Sequence, residues 1–147
     1  MGSESQAQVT LRTAHDDQNV YFLVTRLDEV LTGEDKVFIN IGADNGYYSI
    51  SLNTAGLDSV EYNSSKLSKE NITCVAKVSG TVGTNTDKDE GIVYEVSVPK
   101  SLLGLAGETS FTVLPMLDNS DGDAVITDTL TNSGISNQAR WPSVELD

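Results

Sequence analysis

The residues best suited to chemistry lie near the end of the chain, where Asn137, Gln138 and Arg140 precede the single tryptophan, Trp141. An indole offers an apolar face to the C–H face of a sugar ring, while planar amides and a guanidinium meet the ring hydroxyls with paired hydrogen bonds. That grouping is the chemistry of neutral glycan recognition. The competing reading is a core or staple tryptophan that closes the sandwich. Tyr47 is a second candidate ring. It is adjacent to Tyr48, so in a strand the two face opposite ways. Tyr48, Ile50 and Leu52 then point inward, and Tyr47, Ser49 and Ser51 outward. An outward Tyr47 is either a sugar platform or an ordinary cross-strand partner.

The segment Asp118-Asn-Ser-Asp-Gly-Asp123 gathers the carboxylates of Asp118, Asp121 and Asp123 around Gly122, hard oxygen donors in a turn suited to structural calcium or simply to solvent. It is not an EF-hand loop: counting back from Gly122 puts Leu117 at the first ligand position, and no glutamate stands at the twelfth. Asp16 with Asp17, and Glu34 with Asp35, are weaker pairs of the same kind. Catalysis has little to build on. One histidine, His15, sits beside two aspartates, and there is no Gly-x-Ser-x-Gly elbow and no phosphate-cradling glycine loop.

The elements that must position these residues read as strands. Apolar runs recur every eight to twelve residues between Gly, Asn, Asp and Ser clusters, and no helical period is sustained. The pattern predicts strands at Gln8–Thr13, Asn19–Asp28, Lys36–Ile41, Tyr47–Asn53, Ser59–Tyr62, Ile72–Ser79, Gly91–Val98 and Ser110–Leu117, with a weaker one at Ala124–Thr127. Asn45-Gly46 predicts a hairpin with a primed turn. Thr81–Asp89 reads as a loop or a short edge strand, and Thr129–Arg140 as a long polar segment. In Gly91-Ile-Val-Tyr-Glu-Val-Ser-Val98, Ile92, Tyr94, Val96 and Val98 share one face. Pro99 ends the run and Lys100–Leu103 form one helical turn stopped by Gly104. Cys74 alternates onto the side of Ile72, Ala76 and Val78, as a buried core thiol does.

The run from Glu95 through Pro99 to Leu103-Gly104 resembles the "E-hydrophobic-x-hydrophobic-P-x-x-x-L-G" signature of β-sandwich modules that group with family 9 carbohydrate-binding modules and DOMON domains. Upstream, Ala14-His-Asp-Asp-Gln-Asn-Val-Tyr-Phe-Leu-Val-Thr-Arg-Leu-Asp28 is similar to that family's hairpin and strand ending in Asp, and Lys36-Val-Phe-Ile-Asn-Ile41 to its next core strand. The matching segments span about Val9 to Leu117. The family's opening "D-G-x-x-x-x-x-W" strand is absent, as is a tryptophan after Asp28. The resemblance implies an antiparallel β-sandwich of jelly-roll or immunoglobulin-like type, one module over 1–147 excised from a larger multidomain protein. It implies sugar binding near the C-terminal end, where Trp141 matches in position. It also implies structural calcium, and a role for Asp28 toward a cation or a sugar hydroxyl. DOMON relatives hold haem through Met and His, but the spacing of His15 and Met116 does not suit it.

Nine basic residues against 22 acidic ones leave a formal charge of −13, which repels phosphate backbones and anionic membranes and argues against nucleic acid as a partner. No run approaches the roughly 18 to 20 apolar residues of a membrane span, and the first residues lack the regions of a signal peptide. A chain of 147 residues buries a core without disulfides, and with one cysteine it has no internal one. Low lysine and abundant Asn, Ser, Thr and Gly suit an exported bacterial protein. The expectation is a non-catalytic carbohydrate-binding module, extracellular or at the cell surface, covalently linked to catalytic or anchoring domains. A structural or adhesive spacer without sugar binding is the alternative.

Overall fold

A computed structural model describes residues 2–3, 7–84, 88–120, 125–129, 135 and 137–146. Their strands, in chain order, are β1 (Gly2–Ser3), β2 (Ala7–His15), β3 (Asn19–Leu27), β4 (Lys36–Ala43), β5 (Gly46–Asn53) and β6 (Gly56–Tyr62), then β7 (Ser65–Lys66), β8 (Thr73–Ser79), β9 (Gly91–Pro99), β10 (Ser110–Asn119), β11 (Ile126–Thr129) and β12 (Ser143–Glu145). Every pairing is antiparallel. The first sheet runs β1-β2-β3-β9-β8; the second runs β11-β10-β4-β5-β6-β7, with β12 also paired to β10. The antiparallel sandwich expected from the alternation is the fold.

Alternation decides what is inside. Phe22, Val24, Ile39, Ile41, Tyr94, Val96 and Val98 are all buried, as their phase requires, and Ile50 and Leu52 join them. Cys74, Ala76 and Val78 pack partly buried against the same core, and burial pushes the Cys74 thiol upward. The turn after β9 is closed by Leu103 N–H donating to Lys100 O at 3.2 Å and Leu105 N–H donating to the same oxygen at 2.8 Å. Gly104, at φ 66°, supplies the left-handed residue that this closure needs. Pro115 lies inside β10 without breaking it. It pairs with Ile39 of β4, and its missing N–H falls on the other side, between Ser110–Thr112, which pair with β12, and Met116–Asn119, which pair with β11, where no described strand pairs with it.

The inward face of β3 ends on a charged residue. In β3 the phase of Val20, Phe22 and Val24 continues to Arg26, 1% exposed. Its Nε and Nη2 donate to Asp28 Oδ2 at 2.9 and 2.7 Å, and Nη2 also to Asn119 Oδ1 at 2.9 Å. Nη1 donates to Lys36 O at 3.0 Å and Asp118 O at 2.8 Å, so one guanidinium ties the first sheet to β4 and β10 of the second. Asp35 approaches Nη2 at 3.0 Å and accepts from Ser120 N–H and Thr32 N–H. Asp89, also buried, accepts from the N–H groups of Leu31 and Thr81, so Thr81–Asp89 is a loop held by its own carboxylate; residues 85–87 lie outside the described set.

Candidate functional site

The β4–β5 hairpin sets the site. The sequence reading places a primed turn at Asn45-Gly46. In the structure Asp44 and Asn45 form the turn with Ala43 opposite Gly46, and the two consecutive positive-φ residues are instead Asn63 (47°) and Ser64 (68°), between β6 and β7. Two positive φ angles in a two-residue connection are what a primed turn requires. They aim the Asn63 amide back at the first hairpin. Its Oδ1 accepts from Tyr47 N–H at 3.0 Å and its Nδ2 donates to Asn45 O at 2.9 Å. A Cβ on Gly46 would stand 1.7 Å from Asn63 Oδ1, so only glycine admits this clamp.

The Gly46 carbonyl then receives the C-terminal segment. Gln138 Nε2 donates to it at 2.6 Å, and Gln138 opens the 3-10 turn Gln138–Arg140, whose carbonyl at Gln138 accepts Trp141 N–H at 3.0 Å. Pro142 O accepts Val113 N–H at 2.9 Å and fixes the segment to β10. The Trp141 ring consequently meets Tyr47 edge-on, with centroids 6.0 Å apart. Tyr47, singled out apart from the Gln138–Trp141 grouping, thus meets it at one corner.

Trp141 is placed neither as an open platform nor in the core between the sheets, but as a staple. The indole is only 4% exposed, so its faces are not an open platform, yet it stands outside the apolar cluster between the sheets. It packs instead on the outward side of the second sheet, where Tyr47 belongs by alternation. Among the described residues its Nε1–H has no acceptor. Arg140 and Asn137 are exposed on either side of Gln138.

Beyond Tyr47 the outward face carries two adjoining hollows. One, of about 220 Å³, is lined by Tyr47, Phe38, Ser49 and Glu61 among others. The next, of about 320 Å³, shares Phe38, Ser49 and Glu61 and adds Ser51, Asp58 and Lys66. Lys36 Nζ lies 3.2 Å from Asp58 Oδ2, which also accepts from Ser51 Oγ at 3.4 Å. The trough therefore joins aromatic faces to hydroxyl and carboxylate groups. On the far side of Gln138 a further hollow of about 300 Å³ is lined by Asp44, Glu108 and Thr112.

Asp28 lies elsewhere. Its side chain is fully buried and its oxygens are taken by Arg26 and by Val30 N–H, so it turns no group toward a sugar or a cation. Burial pushes its carboxyl up to about 6 against the opposing pull of Arg26, and Asp35 adds to the rise. Of the calcium set, Asp118 Oδ1 accepts from Thr127 Oγ1 at 2.6 Å, whereas Asp121 and Asp123 lie outside the described residues. Among the described residues no three His, Cys, Asp or Glu side chains gather for a metal ion, and no helix is long and apolar enough to cross a membrane.

Sequence reading missed Arg26 and Asn63. An arginine in the inward phase after Val20, Phe22 and Val24, two residues before an aspartate, was a usable signal. Asn63 carried none, because its role depends on a turn that pairs β6 with β7.

The fold these residues occupy is that of family 9 carbohydrate-binding modules. A module of this family from Caldicellulosiruptor kristjanssonii, solved with glucose, superposes with a TM-score of 0.67 over 97% of this chain and 78% of the other, at 12% identity. The same organism's module solved with cellotriose gives 0.66 over 96% and 75%, again at 12% identity. No family model matches the sequence, and no curated protein does.

Proposed function

We propose that this chain is a non-catalytic carbohydrate-binding module, extracellular in a bacterium, that holds covalently linked glycan-degrading domains close to their polysaccharide. Linkage of this kind turns later encounters into intramolecular ones. The observation that carries the reading is the convergence of Tyr47, Gln138 and Trp141 at one end of a trough of hydroxyls and carboxylates. Tyr47 is the half-buried ring that a saccharide stacks on. Trp141 props it from behind, and Gln138, Arg140 and Asn137 border the same corner. The complexes of the structural neighbours with glucose and cellotriose support the ligand class.

Calorimetric titration with cellotriose tests this. A shallow trough predicts a dissociation constant on the order of micromolar to millimolar, and Tyr47→Ala is expected to remove binding without lowering the melting temperature by more than a few degrees. A glycan array with the same chain covers other sugars. The burial of Trp141 favours one other reading, a structural or adhesive spacer in which the indole staples the C-terminal segment. An array with no bound glycan selects it.

A further inference from the structure

A hollow of about 490 Å³ crosses the outward face of the first sheet, on the opposite side of the sandwich from Tyr47. Strand register builds it from two rows, Ala14–Tyr21–Ser97–Thr73 and Arg12–Leu23–Glu95–Val75, spanning β2, β3, β9 and β8. Leu23 and Ala14 floor it, and Tyr21, 37% exposed, forms one wall. The tyrosine is held in place: its hydroxyl donates to Asp16 Oδ2 at 2.5 Å, while Asp16 Oδ1 accepts the N–H groups of Gln18 and Asn19 at 2.8 and 2.7 Å. A ring fixed by the β2–β3 turn loses little freedom when a ligand stacks on it.

Across the hollow stand Arg12 and Glu95, one strand apart on each side of Leu23. That puts their Cα atoms roughly 10 Å from one another. Both are exposed, and neither takes part in an ion pair or side-chain hydrogen bond among the described residues. In a chain of formal charge −13 this hollow carries one charge of each sign. An anion meets Glu95 and the field of the whole molecule, and a cation meets Arg12. A neutral polyol satisfies both, its hydroxyl oxygens accepting from the guanidinium and its hydroxyl protons going to the carboxylate. The apolar remainder, Tyr21, Leu23 and Val75, faces the ring C–H groups. We propose that this face is a second carbohydrate-binding surface, taking a short segment of a neutral saccharide between Tyr21 and the Arg12–Glu95 pair. It stands independently of the Tyr47 site.

The test is amide chemical-shift mapping of the isotope-labelled chain with cellotriose, mannotriose, xylotriose and lactose. At least one is expected to shift Tyr21, Leu23 and Glu95 in a saturable way. Tyr21→Ala and Arg12→Ala are each expected to weaken that response about tenfold with an unchanged melting temperature, and Tyr47→Ala to leave it intact. The proposal is overturned if none of the four shifts these amides, if shifts are confined to the Tyr47–Gln138 corner, or if both variants retain full affinity. It also fails if the same amides shift with protein concentration in the absence of sugar, which would mean that a second copy covers the face.

Discussion

Two regions of the sandwich bring polar side chains together, and they use them in opposite ways. At the Arg26 end every guanidinium nitrogen has a partner, and the two carboxylates of Asp28 and Asp35 are closed by backbone N–H groups. At the Tyr47 corner the hydrogen bonds position rings, and polar capacity is left over among the described residues: an indole N–H without an acceptor, and amide and guanidinium groups exposed beside it. A buried polar network contributes to a fold only when all its members are satisfied. The corner with groups to spare is the one to which the proposed function assigns the sugar.

The largest effect separating the two regions is expected at Arg26. Arg26→Leu leaves Asp28 and Asp35 buried without their cation, and breaking such a cluster from one side costs about 3–5 kcal/mol. Urea denaturation measures it. A loss below about 1 kcal/mol would mean that the two sheets do not depend on this tie, and the contrast between the regions would collapse.

A smaller effect follows from the charge left inside the same cluster. Burial raises the Asp28 carboxyl to about 6, above its value of 3.8 in the unfolded chain, with Arg26 opposing the rise. The folded state therefore binds this proton more tightly. The contribution of Asp28 is fully present below pH 4 and is lost as pH rises through about 6. Asp28→Asn carries no such titration, so the melting temperature of the natural chain minus that of the variant should shrink from pH 4 to pH 7. A difference that stays flat or grows would show that Arg26 holds Asp28 ionised throughout.

Much of this contrast was hidden from the sequence, for a physical reason. Alternation reports which face of a strand is inward, so Tyr94, Val96, Phe22 and Ile39 were legible one strand at a time, and so was the outward phase of Tyr47. Alternation does not report which strands become neighbours. Arg26 reaches the Asp118 carbonyl across 92 positions of sequence, and Gln138 reaches Gly46 across the same separation. Asp28 was singled out by the resemblance, as the Asp that closes its strand. Only the pairing of both sheets around Arg26 encloses it. Trp141 resisted for a related reason: residue type cannot distinguish a ring buried between two sheets from one buried on the outside of a sheet.

The smallest effect, that of Trp141→Phe, is the most discriminating for the corner. Trp141→Ala removes a buried ring and is expected to cost about 3–5 kcal/mol, as large-to-small changes at buried aromatic positions do. Trp141→Phe keeps most of the ring and deletes the N–H that has no acceptor among the described residues. The lost contacts and the relief of an unsatisfied donor, worth about 1–3 kcal/mol, then oppose each other. The net change is expected to stay within about 1 kcal/mol. With the Tyr47 ring still supported, cellotriose affinity should change less than about threefold, which calorimetry on the same sample reads directly. If the phenylalanine variant is as unstable as the alanine one, the indole N–H is bonded after all, and the corner is as self-contained as the Arg26 end. If stability holds while affinity collapses, the indole itself touches the sugar and Tyr47 alone is not the stacking ring.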